Sequence, residues 1–186
     1  MILSGHVYPP VISYLKNKKV NYLEIGVFEG EGLGKVSLEV PDLTCYGIDP
    51  FIEDGHTVGR SKLSTGEYMN TQHELTLKYL EDKPNTVLHV MTSHDYRAQL
   101  TAEKIAELNI GAVLIDGNHH YEYVVNDYEL AMMVIGNKAG LIVFDDLAIP
   151  DVKRAVEKFK IDFADRIENI DNIHDVALSV FIREFV

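Results

Sequence analysis

Residues 21–36 read NYLEIGVFEGEGLGKV: an apolar run of strand length ends in an acidic residue, and spaced glycines follow before apolar positions resume at helical spacing. A chain that turns from strand to helix has this pattern. Within it, Glu24-Ile25-Gly26-Val27-Phe28-Glu29-Gly30 has the spacing E-x-G-x-x-x-G. Gly26 and Gly30 allow a tight turn and a close approach of backbone to ligand. The G-x-G-x-x-G spacing that lays a diphosphate on a helix N-terminus is missing. Glu24, Glu29 and Glu31 instead crowd the turn with negative charge, which suits a cationic or amino-bearing ligand.

Working outward, the same alternation recurs. Short apolar runs at 20–26, 43–49, 86–92, 112–117 and 140–146 read as strands, each mostly apolar as expected for parallel strands covered on both faces. Between them, Ala98, Thr101, Ile105 and Leu108 predict a helix over 97–108, and Tyr121, Val124, Tyr128, Ala131 and Ile135 predict one over 120–136. Val152, Val156, Phe159 and Phe163 mark a third helix, with Pro150 and Asp151 as its start signals. Residues 176–185 alternate like a terminal strand that runs antiparallel to the rest. Strands alternating with helices imply an α/β fold: one Rossmann-like, doubly wound, mostly parallel sheet with helices on both faces. Residues 1–18 form an N-terminal segment. The polar, glycine-bearing stretch 52–67 breaks the beat and is expected as a mobile loop over the site.

The composition narrows the partners. The chain has 186 residues, 46% hydrophobic and 25% charged, enough for one substantial core and therefore a single domain over 1–186. A net charge of −12, with Lys18-Lys19 and Lys153-Arg154 as isolated adjacent basic pairs, argues against nucleic acid. No apolar run reaches membrane-spanning length, and MILSGHVYPP is too polar for a secretion signal. Cys45, the single cysteine, sits in an apolar stretch and fits a reducing compartment. These features predict a cytoplasmic protein acting on a small-molecule substrate, alone or as a homo-oligomer.

Ligands of open parallel sheets sit at the carboxyl ends of the strands. Those ends carry Glu24 to Gly30, Asp49, Thr92 to Asp95, Asp116 to His120, and Asp145 with Asp146. Asp49 ends the second strand, where a carboxylate accepts both hydroxyls of a ribose. An acidic glycine turn followed by a ribose-binding carboxylate describes a cationic nucleoside, and S-adenosylmethionine (SAM) is the common metabolite of that description.

Four blocks, LEIGVFEGEG, YGIDPF, VLIDGNHHYEYVVNDYELA and GLIVFDD, resemble in order and spacing the class I SAM-dependent methyltransferases. Within that class they are similar to the branch of macrocin-type sugar O-methyltransferases and cephalosporin-hydroxylase-like proteins. The resemblance spans residue 20 to about residue 160. It implies that Glu24 and Gly26 lie near the amino-acid part of SAM, that Gly30 opens the next helix, and that Asp49 takes the ribose. Ser93 and His94 would flank the adenine, and Asp116 would belong to the cofactor site. It further implies that Asp116, Asp145 and Asp146 hold a divalent metal such as Mg²⁺, and that His119 is the base. Hard carboxylate oxygens suit that ion.

Each assignment has a competitor. Aspartates at strand-to-helix turns also cap helices, and His119 or His120 could do the same for the helix that follows. His89, inside a strand, reads as a packing residue, and so do Tyr121, Tyr123 and Tyr128. Asn118 stands where many relatives carry an acid, and 137–140 lacks their Pro-Gly-Gly. The leading expectation is methyl transfer from SAM to a small-molecule or sugar hydroxyl. The alternative is a catalytically inactive nucleoside-binding protein, regulatory or assembly-related, on the same fold.

Overall fold

A computed structural model describes residues 6–52, 65–173 and 176–185, with backbone alone for 65–70. In chain order the described elements are α1 (Tyr8–Lys18), β1 (Asn21–Ile25), α2 (Glu31–Glu39), β2 (Cys45–Ile48), α3 (Thr65–Leu80), β3 (Thr86–His89) and α4 (Ser93–Ala98). They continue with α5 (Ala102–Leu108), β4 (Ile110–Ile115), α6 (Tyr121–Ile135), β5 (Gly140–Phe144), α7 (Pro150–Asp162), β6 (Ile167–Ile173) and β7 (Ala177–Ile182).

The strands form one sheet in the order β3-β2-β1-β4-β5-β7-β6. The first five are parallel, with Glu24 opposite Gly47 on one side and Leu114 on the other. β7 inserts antiparallel between β5 and β6, as the alternation at 176–185 predicts. Strand order reverses beside β1, so the carboxyl ends of β1 and β4 open the crevice where a ligand sits.

Both faces of the sheet are covered. One carries α6 and α7, where Tyr128, Phe144 and Phe159 are fully buried and meet ring to ring at 5.2–5.3 Å. Truncating a ring such as Phe159 to alanine costs about 3–5 kcal/mol in such a core. The other face carries α1 and α2, with Leu15, Tyr22, Leu33 and Val36 fully buried. Cys45 is buried there, and burial pushes its thiol up to about 12.

Two expectations need correction. The helix predicted over 97–108 is two helices, α4 and α5. Thr92 caps the first by accepting from the Asp95 amide, and Thr101, read as a mid-helix position, caps the second by accepting from the Lys104 amide. Two caps nine residues apart stop one helix and start another despite continuous apolar spacing. In the loop expected over 52–67, residues 53–64 lie outside the described residues, while 65–67 already belong to α3. The N-terminal segment is mostly α1: Pro9 and Pro10 fall in its first turn, where a missing N–H breaks no helical bond. The packing roles expected of His89 and Tyr128 hold. His89 lies between Tyr46 and Tyr96, and the Tyr128 hydroxyl donates to Asp162 at 3.1 Å.

Candidate active site

The turn after β1 is built by backbone conformation. Gly26, Phe28 and Gly30 all have positive φ, at 89°, 52° and 80°. Gly26 packs on the next strand's loop so tightly that a Cβ there would lie 2.1 Å from the Asp116 carbonyl oxygen. Asp49, at the end of β2, clamps the turn from the other side. Its Oδ2 accepts from the amides of Val27 and Phe28, each at 2.9 Å, and its Oδ1 accepts from Phe51 at 2.7 Å. The residue expected at the ribose therefore also fixes the glycine turn to the neighbouring strand.

Glu24 points inward beneath this turn. It is 2% exposed and accepts from the Tyr22 hydroxyl at 2.9 Å. Burial raises its carboxyl to about 8, against the lowering effects of Tyr22 and the Leu33 amide. Two residues that sequence reasoning missed close the same end. The Tyr8 hydroxyl, carried by α1, fills a notch at Gly32, and His6 Nε2 lies 3.5 Å from Asp145 Oδ1.

Across the crevice, the ends of β4 and β5 bring Asp116, His119 and Asp146 together. Each offers one ligand atom, and these atoms lie within 4.8 Å of one another. His119 Nε2 sits 2.9 Å from Asp146 Oδ2. That contact holds the Asp146 carboxyl below its ordinary range, whereas burial, followed by the charges of Asp145, Asp146 and Glu24, pushes Asp116 well above its own. Asp145 is turned away from this group: its Oδ1 accepts from the Asp146 amide at 2.8 Å and faces His6. The backbone of Asp146 is left-handed there, with a φ of 56°. The Asp116 and Asp146 carboxylates are hard oxygen donors that fit a divalent ion such as Mg²⁺ or Mn²⁺, with the His119 imidazole beside them.

The remaining predicted residues sit at the start of α4. The Ser93 hydroxyl accepts from Asn126 at 3.0 Å and donates to Asp127, a 1% exposed carboxyl that burial pushes up to about 6. His94 is exposed, edge-on to Tyr123 at 5.4 Å. Of the helix-capping alternatives, His120 occupies the N-cap of α6 without a capping side-chain bond, while Asn118 accepts from the His120 amide at 2.9 Å.

A glycine turn, a clamping aspartate and a second acidic centre thus meet at adjoining strand ends, and sequence comparison says which family carries them. A family model for a methyltransferase domain matches residues 23–147, more than half of the chain. The chain belongs to that methyltransferase family, and its fold is that of the class I SAM-dependent enzymes.

An uncharacterized protein of Acanthamoeba polyphaga mimivirus is 27% identical over 168 residues, 86% of this chain and 68% of that one. Among solved structures, the O-methyltransferase TomG from Streptomyces achromogenes, in complex with SAM, has a TM-score of 0.64 at 14% identity over 95% of this chain and 78% of its own. The MycE methyltransferase of the mycinamycin pathway, with Mg, S-adenosylhomocysteine and mycinamycin VI, has a TM-score of 0.57 at 18% identity. There the alignment spans 95% of this chain and 48% of MycE. Among the described residues no helix is long and apolar enough to cross a membrane.

Proposed function

We propose that the chain transfers the methyl group of SAM to a hydroxyl of a small molecule or sugar, with a divalent cation beside the acceptor and His119 as base. The observation that carries this reading is the His119–Asp146 contact of 2.9 Å, set within reach of Asp116 and across the crevice from the glycine turn. The SAM complex of TomG and the Mg-containing complex of MycE, on the same fold, support the choice of donor and ion.

In this reading Glu24 and Gly26 border the amino-acid end of SAM, Gly30 opens α2, and Asp49 presents its remaining lone pairs to the ribose. Ser93 and His94 border the adenine, with Asn126 and Asp127 fixing the Ser93 hydroxyl. Asp116 and Asp146 would hold the cation, with Asp145 supporting them from behind; the ion would supply the charge that lowers the pKa of the acceptor hydroxyl. His119 donates Nε2–H to Asp146, which leaves Nδ1 to take the hydroxyl proton. The acceptor oxygen then forms its bond to the methyl carbon as the carbon–sulfur bond breaks, and S-adenosylhomocysteine leaves. Most of the acceleration comes from holding oxygen, methyl and sulfur in line. The small-molecule acceptor, the absence of nucleic-acid and membrane partners, and a cytoplasmic location complete the proposal. The acidic surface and the buried lone thiol support it.

Calorimetric titration with S-adenosylhomocysteine, with and without Mg²⁺, followed by transfer of labelled methyl to hydroxylated acceptors, tests it. Micromolar binding and His119-dependent transfer are the expected results. No binding in either condition would remove the reading, and binding without transfer to any acceptor would favour the inactive nucleoside-binding protein.

A further inference from the structure

α4 and α6 meet through buried polar groups that the methyl-transfer step itself does not use. Asp127 is 1% and Asn126 5% exposed, and with Ser93 they close a triangle. The Asn126 amide donates to the Ser93 hydroxyl at 3.0 Å and to Asp127 Oδ1 at 3.2 Å, while the Ser93 hydroxyl donates to Asp127. A second tie lies one turn along, where Arg97 Nη1 donates to Asn126 Oδ1 at 3.2 Å and to Glu129 Oε2 at 2.6 Å. A buried carboxylate is costly unless donors meet it, so the network favours one arrangement of α4 on α6.

Asp127 also reaches the loop after β4. Its Oδ2 and Ile25 Cγ2 each lie 3.4 Å from where a Cβ would stand at Gly117, the neighbour of Asp116. From the other side, a Cβ at Gly26 would lie 2.7 Å from the Gly117 Cα. Gly117 is therefore gripped between the cofactor turn and Asp127. A shift of Ser93 is carried by Asp127 onto the segment that holds Asp116 and His119, through contiguous hydrogen bonds and packing contacts.

We infer that Asp127 is a positioning residue that links the two halves of the site: it ties the adenine end at Ser93 to the ion-binding loop through Gly117, so that nucleoside and divalent cation each strengthen the binding of the other. The inference rests on the reading of Ser93 as an adenine neighbour and of Asp116 as an ion ligand. Whichever ligand binds first fixes the shared segment, and the second meets a site already set.

The test reads Mn²⁺ affinity by electron paramagnetic resonance on the full chain, with and without saturating 5′-methylthioadenosine, a neutral nucleoside that adds no charge beside the ion. The wild type should bind Mn²⁺ at least about fivefold more tightly with the nucleoside present, and calorimetry should show the nucleoside gaining the same factor from Mn²⁺. Equal Mn²⁺ affinity in both conditions overturns the inference. Asp127→Asn keeps the side-chain volume and removes one acceptor oxygen from the triangle. It should bind each ligand alone within about twofold of the wild type and lose the factor that links them. A folded variant that keeps the wild-type factor overturns the inference. Ser93→Ala opens the triangle from α4 and should lose the factor too; where Asp127→Asn does not fold, a factor kept in Ser93→Ala overturns the inference.

Failure of the wild type to bind either S-adenosylhomocysteine or 5′-methylthioadenosine would remove the SAM reading, and failure to bind Mn²⁺ would remove the ion. Either result takes the inference with it, whereas two ligands that bind without affecting each other overturn the inference alone.

Discussion

Gly26 and Asp116 are packed backbone to backbone: a Cβ at residue 26 would lie 2.1 Å from the Asp116 carbonyl oxygen, and φ at Gly26 is 89°. The two loops that border the crevice are thus one mechanical unit. Gly26→Ala must strain a left-handed backbone and also part the β1 and β4 loops. The expected cost is at least about 1–3 kcal/mol of stability, seen as a lower urea midpoint. Binding of S-adenosylhomocysteine should fall with it, since the shifted loop carries Asp116. An alanine variant with unchanged midpoint and affinity would show that the loops move apart freely.

Asp49 accepts from three backbone amides, at Val27, Phe28 and Phe51, so its removal acts through the turn as well as through the ribose. Asp49→Ala should lower cofactor affinity by about 1.5–3 kcal/mol for each charge-assisted bond lost to the ligand, and should also lower the unfolding temperature. Calorimetry and thermal unfolding on the same samples separate the two effects. Unchanged affinity with a lowered unfolding temperature would make Asp49 a clamp alone.

Glu24 sets a pH dependence whose sign follows from its burial. Its carboxyl is raised from an ordinary 4.5 to about 8, so the folded chain holds a proton there that the unfolded chain releases. The contribution to stability is full below about pH 4.5 and is lost as pH rises towards about 8. Asp116 and Asp145 are raised as well and slope the same way. Glu24→Gln should therefore flatten the decline in unfolding free energy between pH 5 and 8, measured in urea at several pH values. An ammonium ligand beside Glu24 favours the carboxylate, so binding of S-adenosylhomocysteine near pH 7 should release a proton. Titrations in buffers of different ionisation enthalpy would detect it, and a slope unchanged in Glu24→Gln would assign the proton to another group.

Sheet and cofactor turn were legible because their signals are local: five apolar runs of strand length, each with a polar residue at or near its end, and a glycine turn whose spacing needs no tertiary context. Where tertiary contacts decide, the reading stopped. Thr101 fits the apolar face of a continuous helix but caps a new one, and Pro9-Pro10 breaks a helix interior yet is harmless in a first turn. β6 is polar and lies at a sheet edge, so ENIDN at 168–172 shows no strand alternation. His6 and Tyr8 reach the site by long-range packing of α1, which no spacing reports. Asp145 and Asp146 read as an equivalent pair, and their partners, His6 for one and His119 for the other, come from distant segments that no spacing reports.

That separation gives the two aspartates different expected phenotypes. Asp146 holds the His119 imidazole at 2.9 Å and shares the ion-binding group with Asp116, so Asp146→Asn should impair both proton removal and ion binding. Asp145 is 8% exposed and bonded to the Asp146 amide, so Asp145→Asn should act mainly on stability and on the set of the β5 loop. His119→Ala removes the base and should lower transfer by about 10²–10⁴ while leaving affinity for S-adenosylhomocysteine unchanged. The three variants are compared by labelled-methyl transfer across a Mg²⁺ titration, with Mn²⁺ binding followed by electron paramagnetic resonance. Asp146→Asn should need far more metal or show no response, and Asp145→Asn should keep the wild-type metal profile. If Asp145→Asn instead loses Mn²⁺ binding as fully as Asp146→Asn, Asp145 is an ion ligand in its own right and the division between the two aspartates fails.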